Sequence, residues 1–435
     1  MELTIEKLVY GGDGLARLAP DNRGRRKAVF VPFVLEGERV QADLAEEKTE
    51  FAYAHLQQVL SPSPARVAPQ CPYFFRCGGC HYQHGSYEHQ LQIKGAVLKE
   101  NLTRVAKLPL EAELQVHASP PWNYRNRTRL RVRTQPEFVL GYYRFGSHAL
   151  LSVEQCPISS PLINRAIGVT WELGRSGKMD GAISEIEFFA NADDTQLQIE
   201  FYGPGRNASV AATRLANEFQ ENLPEVVGVT WSGQQNSAES APPRRVSKPE
   251  LLLGSEQLIY KTAHAPYRVS AGAFFQVNRF LPDELISIVT YGQAGRLALD
   301  LYAGVGLFSV VLKRNFERVI AVEASQISHS DLEHNAHENV HTVHATSEDY
   351  LKSVHEDLRP DLIVVDPPRG GLGKTVAQAV RGLRSRKIIY VSCDPATLAR
   401  DLRLLHDGGY RVQQAHLIDL FPQTYHIESV FHLGL

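Results

Sequence analysis

The five cysteines of this chain stand in two settings, and the two settings predict different chemistries. Cys71, Cys77 and Cys80 share one short stretch, and Cys156 follows further along. Cys393 stands alone at the end of the apolar run 387–392, directly before an Asp-Pro pair. A strand-to-turn junction presents a thiol at the edge of a sheet, where its thiolate can act as a nucleophile. The first four cysteines are therefore candidate metal ligands, and Cys393 is a candidate reactive thiol.

The expected compartment decides between a disulfide framework and a metal site. The first residues carry no basic-then-apolar signal segment, and no apolar run approaches the roughly 20 residues of a membrane span. We therefore expect a cytoplasmic protein without a membrane partner, in which clustered cysteines more often bind metal than pair. The spacing C-x5-C-x2-C lacks the paired C-x2-C of structural zinc sites, and thiolate ligands suit either zinc or a [4Fe–4S] cluster. Spacing alone leaves both open.

Acidic residues at strand ends predict a second site in the C-terminal part of the chain. The apolar segment 297–302 contains Asp300 and runs into a turn with Gly304 and Gly306. Glu323 ends the next apolar segment, at the distance of ~20 residues at which an acid binds the ribose hydroxyls of a nucleotide. Ser309 stands where a dinucleotide fingerprint has its third glycine. An adenosine ligand without a pyrophosphate, S-adenosylmethionine rather than NAD, is therefore favoured.

Two further apolar segments end directly before Asp366 and Cys393. The pattern of strands alternating with helices predicts a parallel sheet, in which the carboxyl ends of all strands meet in one crevice. A carboxylate and a thiol are therefore expected to face the cofactor in that crevice.

A strand rich in arginine is the strongest local cationic feature. Every second residue from Arg125 to Arg133 is arginine, so a strand places all five on one face. The whole chain has 46 basic and 48 acidic residues, so any anion-binding surface must be local. Nearby tyrosines and a tryptophan favour RNA as the partner of this face, and the alternative is neutralisation by carboxylates across the sheet. A second basic run, 22–27, extends the expected RNA surface.

The 435 residues exceed a single ordinary core, and the patterns divide them into three parts. Residues 1–60 alternate as a small β-barrel with glycine turns. Residues 71–260 mix strands with a helix expected from Tyr87 to Val105, and residues 265–435 alternate strand and helix as a Rossmann-like α/β domain. The polar segment 234–248 is expected to be a mobile loop.

Six motifs together resemble the RNA uracil-C5 methyltransferases, most closely the subgroup that modifies 23S ribosomal RNA. The resemblance spans nearly the whole chain, and the Ser-Cys-Asp-Pro and Phe-Gln-Val-Asn elements are specific in combination. The motifs are Cys71-x5-Cys77-x2-Cys80 with Cys156, Phe274-Phe275-Gln276-Val277-Asn278, Asp300 to Gly306, Asp366-Pro367-Pro368-Arg369, Ser392 to Asp401, and His426-Ile427-Glu428-Ser429-Val430.

The resemblance implies a role for each part of the chain. Residues 1–60 would be a TRAM-like, RNA-binding barrel, 71–260 a central α+β iron–sulfur and RNA-binding domain, and 265–435 a class I methyltransferase domain dependent on S-adenosylmethionine. The four clustered cysteines would hold a [4Fe–4S] cluster. Cys393 would be the nucleophile and Glu428 the general base. The expected cofactor contacts are Gln276, Tyr302, Glu323 and Asp366. A monomer is expected, with 23S rRNA as substrate and tRNA as the alternative.

Two positions depart from the family pattern, and two other functional classes compete with it. Leu307 stands where the family has an asparagine, and Ala345 falls where a further cofactor contact is expected. A radical or sulfur-inserting iron–sulfur enzyme would need C-x3-C-x2-C, which is absent. A non-catalytic RNA-binding iron–sulfur protein would have no use for an intact Cys393, Asp366 and Glu428.

Overall fold

The computed structural model describes residues 1–20, 24–205, 208–235, 244–245, 248–336, 338–354 and 358–435. Residues 22 and 23 of the predicted basic run, and most of the predicted loop 234–248, lie outside these ranges. Within the described ranges, no helix has both the length and the apolar composition needed to cross a membrane.

An N-terminal sheet of six strands encloses a small core of its own. The strands are β1 (Glu2–Thr4), β2 (Lys7–Leu8), β3 (Gly14–Arg17), β4 (Ala28–Val31), β5 (Arg39–Glu47) and β6 (Phe51–Ser61). Their order in the sheet is β1-β5-β6-β4-β3-β2. Inward-facing apolar side chains alternate with more exposed ones, as in β4, where Val29 and Val31 are fully buried.

A central sheet carries the arginine strand and packs against two helices. The strands are β8 (Arg127–Arg133), β9 (Val139–Tyr143), β10 (Leu150–Ser152), β11 (Glu185–Ala190), β12 (Leu197–Pro204), β13 (Val226–Gln235), β14 (Arg244–Arg245) and β15 (Glu250–Gly254). Their order is β10-β9-β8-β11-β12-β13-β14, and β15 also pairs with β13. The helices are α2 (Pro161–Arg175) and α3 (Val210–Asn222), each capped by a serine.

The C-terminal sheet holds eight strands, most of them parallel. Seven of the strands are β18 (Gly295–Leu301), β19 (Phe316–Glu323), β20 (Val340–His344), β21 (Leu362–Val365), β22 (Lys387–Ser392), β23 (Arg411–Ile418) and β24 (Glu428–Gly434). Strands β18 to β22 are parallel. Counted from β18, the order is 3-2-1-4-5-7-6, with the seventh strand antiparallel between the fifth and the sixth. A separate hairpin, β16 (Gln257–Lys261) and β17 (Pro266–Ser270), precedes this sheet.

Helices cover both faces of this sheet, which is why a central strand such as β21 is apolar throughout. Alternate residues of β21 face opposite layers: Leu362 and Val364 lie in one core cluster, Ile363 and Val365 in the other. The helices are α4 (Pro282–Thr290), α5 (Ser309–Leu312), α6 (Gln326–Asn335), α7 (Ser347–Ser353), α8 (Gly373–Gly382) and α9 (Pro395–His406).

One part of the middle segment belongs to the C-terminal sheet. The predicted helix is present as α1 (Tyr87–Asn101), which continues into a π-helical turn, Leu102–Ala106. The strand β7 (Leu114–His117) adds a parallel edge strand to β23. Leu98 of α1 is fully buried in the same cluster as side chains of β21 and β22. The C-terminal sheet therefore includes a strand from residues 71–260, the part that the sequence assigned to the central domain.

Candidate active site

One cavity at the carboxyl edge of the C-terminal sheet collects the residues that the sequence singled out. Strands β19, β21 and β22 end at this edge, and the antiparallel β24 begins there. The cavity has a volume of about 620 Å³. The expected catalytic and cofactor-contacting residues that line it are Gln276, Tyr302, Glu323, Asp366, Cys393 and Glu428.

The turn after β18 is shaped for close approach of a ligand to the backbone. Tyr302, Gly304 and Gly306 have φ angles of 63°, 56° and 92°, and a Cβ atom added to Gly304 would meet no atom within 4 Å. Glu323 fixes the turn, because its carboxylate accepts hydrogen bonds from the amides of Gly304 (2.8 Å) and Ser325 (2.6 Å). The strand-end acid therefore holds the turn in place while it lines the cavity.

Three carboxyl groups at this edge interact through their charges. Burial raises the pKa of Asp300 to about 7, although the hydroxyl of Ser309 donates a hydrogen bond to it (2.5 Å). Burial and the nearby Asp300 raise the pKa of Asp366 to about 7. Burial and Asp366 raise the pKa of Glu428 well above its usual range. Without a bound cation, this cavity therefore favours the protonated form of Glu428 and leaves Asp300 and Asp366 partly protonated at neutral pH.

The thiol of Cys393 lies where β22 ends and α9 begins. The carboxylate of Asp394 caps α9 by accepting from the amides of Ala396 (3.0 Å) and Thr397 (2.9 Å), which fixes the turn around the thiol. Burial raises the pKa of Cys393 to about 12, with further contributions from Glu428 and Asp366. The guanidinium of Arg369 opposes this shift. The thiol is protonated at neutral pH unless positive charge enters the cavity or a base accepts its proton.

Several residues that the sequence did not single out for this site also contribute to it. Arg369 and His426 line the cavity, and a guanidinium nitrogen of Arg369 lies 3.4 Å from Nδ1 of His426. The hydroxyl of Tyr10, which follows β2 of the N-terminal sheet, donates to the carbonyl of Cys393 at 3.5 Å. The motifs around Arg369 and His426 could have identified these two. No local signal could have found Tyr10, because its contact joins residues 383 positions apart.

The two departures from the family pattern have simple structural settings. Leu307 lines the cavity with an apolar side chain, and its carbonyl accepts a hydrogen bond from the Tyr267 hydroxyl (2.9 Å). The amide of Ala345 donates to the carbonyl of Glu323 (3.1 Å). Neither position supplies a polar side chain to the cavity.

The four clustered cysteines line a second, smaller cavity of about 60 Å³. All four are free thiols. Burial raises the pKa of Cys71, Cys80 and Cys77, the last to about 11, and the charge of Cys156 adds to each shift. Within the described ranges, no set of three or more His, Cys, Asp or Glu side chains has the geometry of a metal site. The thiols share a cavity, but they do not form a preassembled metal site.

Two carboxylates on the neighbouring strand β11 pair with three of the five arginines of the arginine strand. Arg127 and Arg129 each bind Glu187 at 2.8 Å, and Arg131 binds Glu185 at 2.6 Å. The guanidinium groups of the same three arginines also lie over aromatic rings, at 3.8 to 5.0 Å from the centroids. For these three arginines the structure shows the carboxylate pairing that the sequence left open as the alternative, and RNA as a partner of this face stays a prediction.

The family becomes clear when this geometry is compared with known proteins. The model of the tRNA (uracil-5-)-methyltransferase family matches residues 86–434. The chain belongs to this family of RNA uracil-C5 methyltransferases. The resemblance inferred from the motifs is thereby confirmed at the level of the family, and the protein is an enzyme of that class.

Relatives and a solved structure extend the likeness over the whole chain. A protein of Aquifex aeolicus described as an uncharacterized RNA methyltransferase is 34% identical over 441 residues, covering 99% of this chain and 97% of that protein. One from Halalkalibacterium halodurans with the same description is 29% identical and covers 100% and 97%. The fold is that of the Pyrococcus abyssi tRNA (uracil-54, C5)-methyltransferase, solved with S-adenosyl-L-homocysteine, with a TM-score of 0.77, 23% identity and full coverage of both chains.

Proposed function

We propose that this enzyme transfers a methyl group from S-adenosylmethionine to C5 of a uridine in 23S rRNA, through a covalent bond between Cys393 and C6 of the base. The observation that carries the proposal is that a strand-end thiol and a buried glutamate, Cys393 and Glu428, line the same cavity as the strand-end acids Glu323 and Asp366. Gln276 and Tyr302 complete the proposed cofactor contacts. When bound, the cofactor supplies an electrophilic methyl group on a cationic sulfur.

The chemistry follows from the weak nucleophilicity of C5 in uracil. The thiolate of Cys393 adds to C6, and the electrons of the C5–C6 double bond move onto the O4 enolate. C5 then accepts the methyl group and retains its proton. The carboxylate of Glu428 removes that proton, the C5–C6 double bond forms again, and the sulfur of Cys393 leaves as thiolate. A pKa raised by burial suits Glu428 to this step, because its carboxylate is a stronger base than an exposed one.

The four clustered cysteines are proposed to hold a [4Fe–4S] cluster with a structural, redox-inert role. Cys71, Cys77, Cys80 and Cys156 are the only donors the proposal requires, and thiolates are the ligands that such clusters take. Burying several thiolates side by side is unfavourable, as their raised pKa values indicate, and bound iron would offset that cost. The cluster would hold residues 71–80, the cysteine segment, in shape, and no catalytic step passes through it.

We assign a separate role to each of three parts of the chain. Residues 1–60 would be a TRAM-like barrel that binds RNA, 71–260 would carry the cluster and further RNA contacts, and 265–435 would bind the cofactor. The matching family model is named for tRNA, and the Pyrococcus abyssi enzyme is a tRNA methyltransferase, so tRNA is the second candidate substrate. The competing class from the sequence, a non-catalytic RNA-binding iron–sulfur protein, is not favoured, because the chain belongs to a family of methyltransferases.

The test compares 5-methyluridine in RNA from cells with and without this protein. Mapping of 23S rRNA and tRNA from both strains, combined with methyl transfer in vitro by the purified holoenzyme, identifies the substrate. Loss of one 23S rRNA 5-methyluridine, restored by the intact gene but not by Cys393→Ala, is the expected result. Loss in tRNA alone would make tRNA the substrate, and an unchanged pattern in both RNAs with no transfer in vitro would refute the proposed activity.

A further inference from the structure

A path of aromatic rings leads away from the active-site cavity. His426 lines the cavity, and the ring centroid of Tyr425 lies 4.4 Å from that of His426. His81 lies 4.5 Å beyond Tyr425, and Phe145 lies 6.2 Å beyond His81. All four side chains are partly exposed. We call these four residues the ring path.

Contacts from three separate parts of the chain hold the ring path in place. The amide of His81 donates to the carbonyl of Gln423 (2.8 Å), and the amide of Phe145 donates to the carbonyl of Arg76 (2.8 Å). The ring of Tyr10 packs edge-on against Tyr425 at 5.5 Å. The N-terminal part, the cysteine segment and the C-terminal part therefore meet along the path.

Gly12 shows how closely the N-terminal part approaches this path. Its φ angle is 98°, and an added Cβ atom would lie 3.1 Å from Cβ of His81. Any side chain at position 12 would therefore be strained and would press against the path. The approach of the two segments depends on glycine.

Two arginines without acidic partners adjoin the ends of the ring path. The side chain of Arg369 lies beside His426 at the cavity. Arg76 adjoins Phe145 through its backbone, and its exposed side chain donates a hydrogen bond to the carbonyl of Pro72 (3.1 Å). Neither guanidinium has a carboxylate partner among the residues that the structure describes, in contrast to the paired arginines of β8. These two guanidinium groups are therefore available to phosphate groups, whereas Arg127, Arg129 and Arg131 are already paired with Glu185 and Glu187.

We propose that the ring path binds the unpaired nucleotides that flank the target uridine. Their bases stack on Tyr425 and Phe145, and Arg369 and Arg76 bind their phosphates. Aromatic rings bind the faces of unpaired bases with little regard to sequence, whereas bases inside a duplex have no free face. The partner is therefore single-stranded RNA, such as a loop. This inference rests on the proposed function, since it extends the uridine site outward along the RNA.

The test measures binding of a labelled, short single-stranded RNA with one uridine among adenosines. A matched RNA carries abasic nucleotides on both sides of the uridine. Tyr425→Leu and Phe145→Leu each raise the Kd for the intact RNA by about 5- to 150-fold, the equivalent of ~1–3 kcal/mol per stacked base. Neither substitution changes the Kd for the abasic RNA. Tyr425→Phe keeps the ring and binds both RNAs as the wild type does.

The controls separate stacking from a general loss of structure. Tyr291→Leu removes a tyrosine that is 87% exposed and lies outside the ring path, and it leaves both Kd values unchanged. Equal losses for intact and abasic RNA, or no loss for either, would overturn the inference. Binding is measured without methyl transfer, so its outcome is independent of the proposed reaction. If the wild-type protein methylates uridine but binds intact and abasic RNA equally well, the proposed function stands and the inference about the ring path is refuted.

The salt dependence of RNA binding tests the proposed role of Arg76. Arg76→Gln lowers the slope of log K against log salt by ~0.7, the contribution of one phosphate contact in single-stranded RNA. Arg165→Gln is the matched control, because Arg165 is exposed but paired with Glu225 at 2.6 Å. Equal slopes for wild type and Arg76→Gln would remove Arg76 from the RNA contact.

Discussion

The buried ion pair between Lys94 and Asp419 predicts a large loss of stability when one partner is removed. Both side chains are 1% exposed, and Nζ of Lys94 donates to the carboxylate of Asp419 at 2.6 Å and to the carbonyl of Phe421 at 2.9 Å. The pair joins α1 to the segment that leads to His426 and Glu428. Lys94→Met leaves an unpaired buried carboxylate, which typically costs about 3–5 kcal/mol.

Thermal melting and a double substitution measure this effect. With a shift of ~2–4 °C per kcal/mol for a unit of this size, Lys94→Met lowers the Tm by about 6–20 °C. Adding Asp419→Leu removes the unpaired charge and restores most of the Tm, because an apolar pair of similar volume is often as stable as an ion pair. Methyl transfer is lost in the single variant and partly regained in the double one.

The exposed pair Lys178 and Glu218 provides the matched control. Its atoms are also close, at 2.8 Å, but its side chains are 52% and 30% exposed. Lys178→Met should change the stability by no more than ~1 kcal/mol, as is usual for surface pairs. The reasoning would be refuted if Lys94→Met had the same Tm as Lys178→Met. It would also be refuted if the double variant lost as much in Tm as Lys94→Met and Asp419→Leu lose together when each is made alone.

Three further predictions follow from the two cavities and the arginine strand. Glu428→Gln should slow product release by ~10²- to 10⁴-fold and accumulate a methylated covalent protein–RNA complex on denaturing gels, whereas Cys393→Ala should form neither complex nor product; turnover of Glu428→Gln at the native rate contradicts the assignment. Cys77→Ser should abolish the broad brown absorbance and the iron content of the purified protein, and stoichiometric zinc without iron in the wild type would contradict the cluster. Arg127 and Arg129 hold the pKa of Glu187 below its usual range despite burial, so this residue's stabilising contribution is present above the unfolded pKa of ~4.3 and is lost as the pH falls through the lower folded pKa. Acid unfolding curves of wild type and Glu187→Gln should therefore differ in this acidic range, and parallel curves would count against the coupling.

Much of the active site could be predicted from the sequence, because parallel strands bring their ends together. Asp366 and Cys393 each follow a run of buried apolar residues, and adjacent strands of one sheet place such ends side by side. Glu428 begins an antiparallel strand, so its position depends on where that strand inserts. The sequence indicated its role only through the resemblance of its motif.

The sequence could not predict which charged residues pair across neighbouring strands. The alternation of arginines correctly predicted one shared face, but the partners on that face come from a strand more than fifty residues away along the chain, roughly the span of a hairpin and helix. Glu185 and Glu187 carry no local signal that they lie opposite Arg131 and Arg129. The same limit hid Tyr10 and Lys94, whose contacts join distant segments.

The high pKa of Cys393 predicts that positive charge in the cavity promotes formation of the thiolate. With a pKa of about 12, this thiol is almost entirely protonated at neutral pH. The raised pKa values of Glu428 and Asp366 favour the protonated forms of these acids as well, so their negative charge does not draw the proton from the thiol. A unit positive charge at about 5 Å and an effective dielectric constant of ~20 contributes about 3 kcal/mol, or roughly two pKa units. Reactivity of Cys393 should therefore depend on the charge of the ligand in the cofactor site.

Alkylation of Cys393 by iodoacetamide tests this dependence. S-adenosyl-L-homocysteine, whose sulfur is neutral, should leave the rate unchanged or lower it by shielding the thiol. An analogue with a protonated amine in place of the sulfonium occupies the same space and should raise the rate by up to about 100-fold, the equivalent of two pKa units. Mass spectrometry of the Cys393 peptide reads the rate, and Cys393→Ala identifies any signal from other cysteines. Equal rates with the two ligands would mean that the thiolate forms by proton transfer within the cavity, without help from the charge of the cofactor.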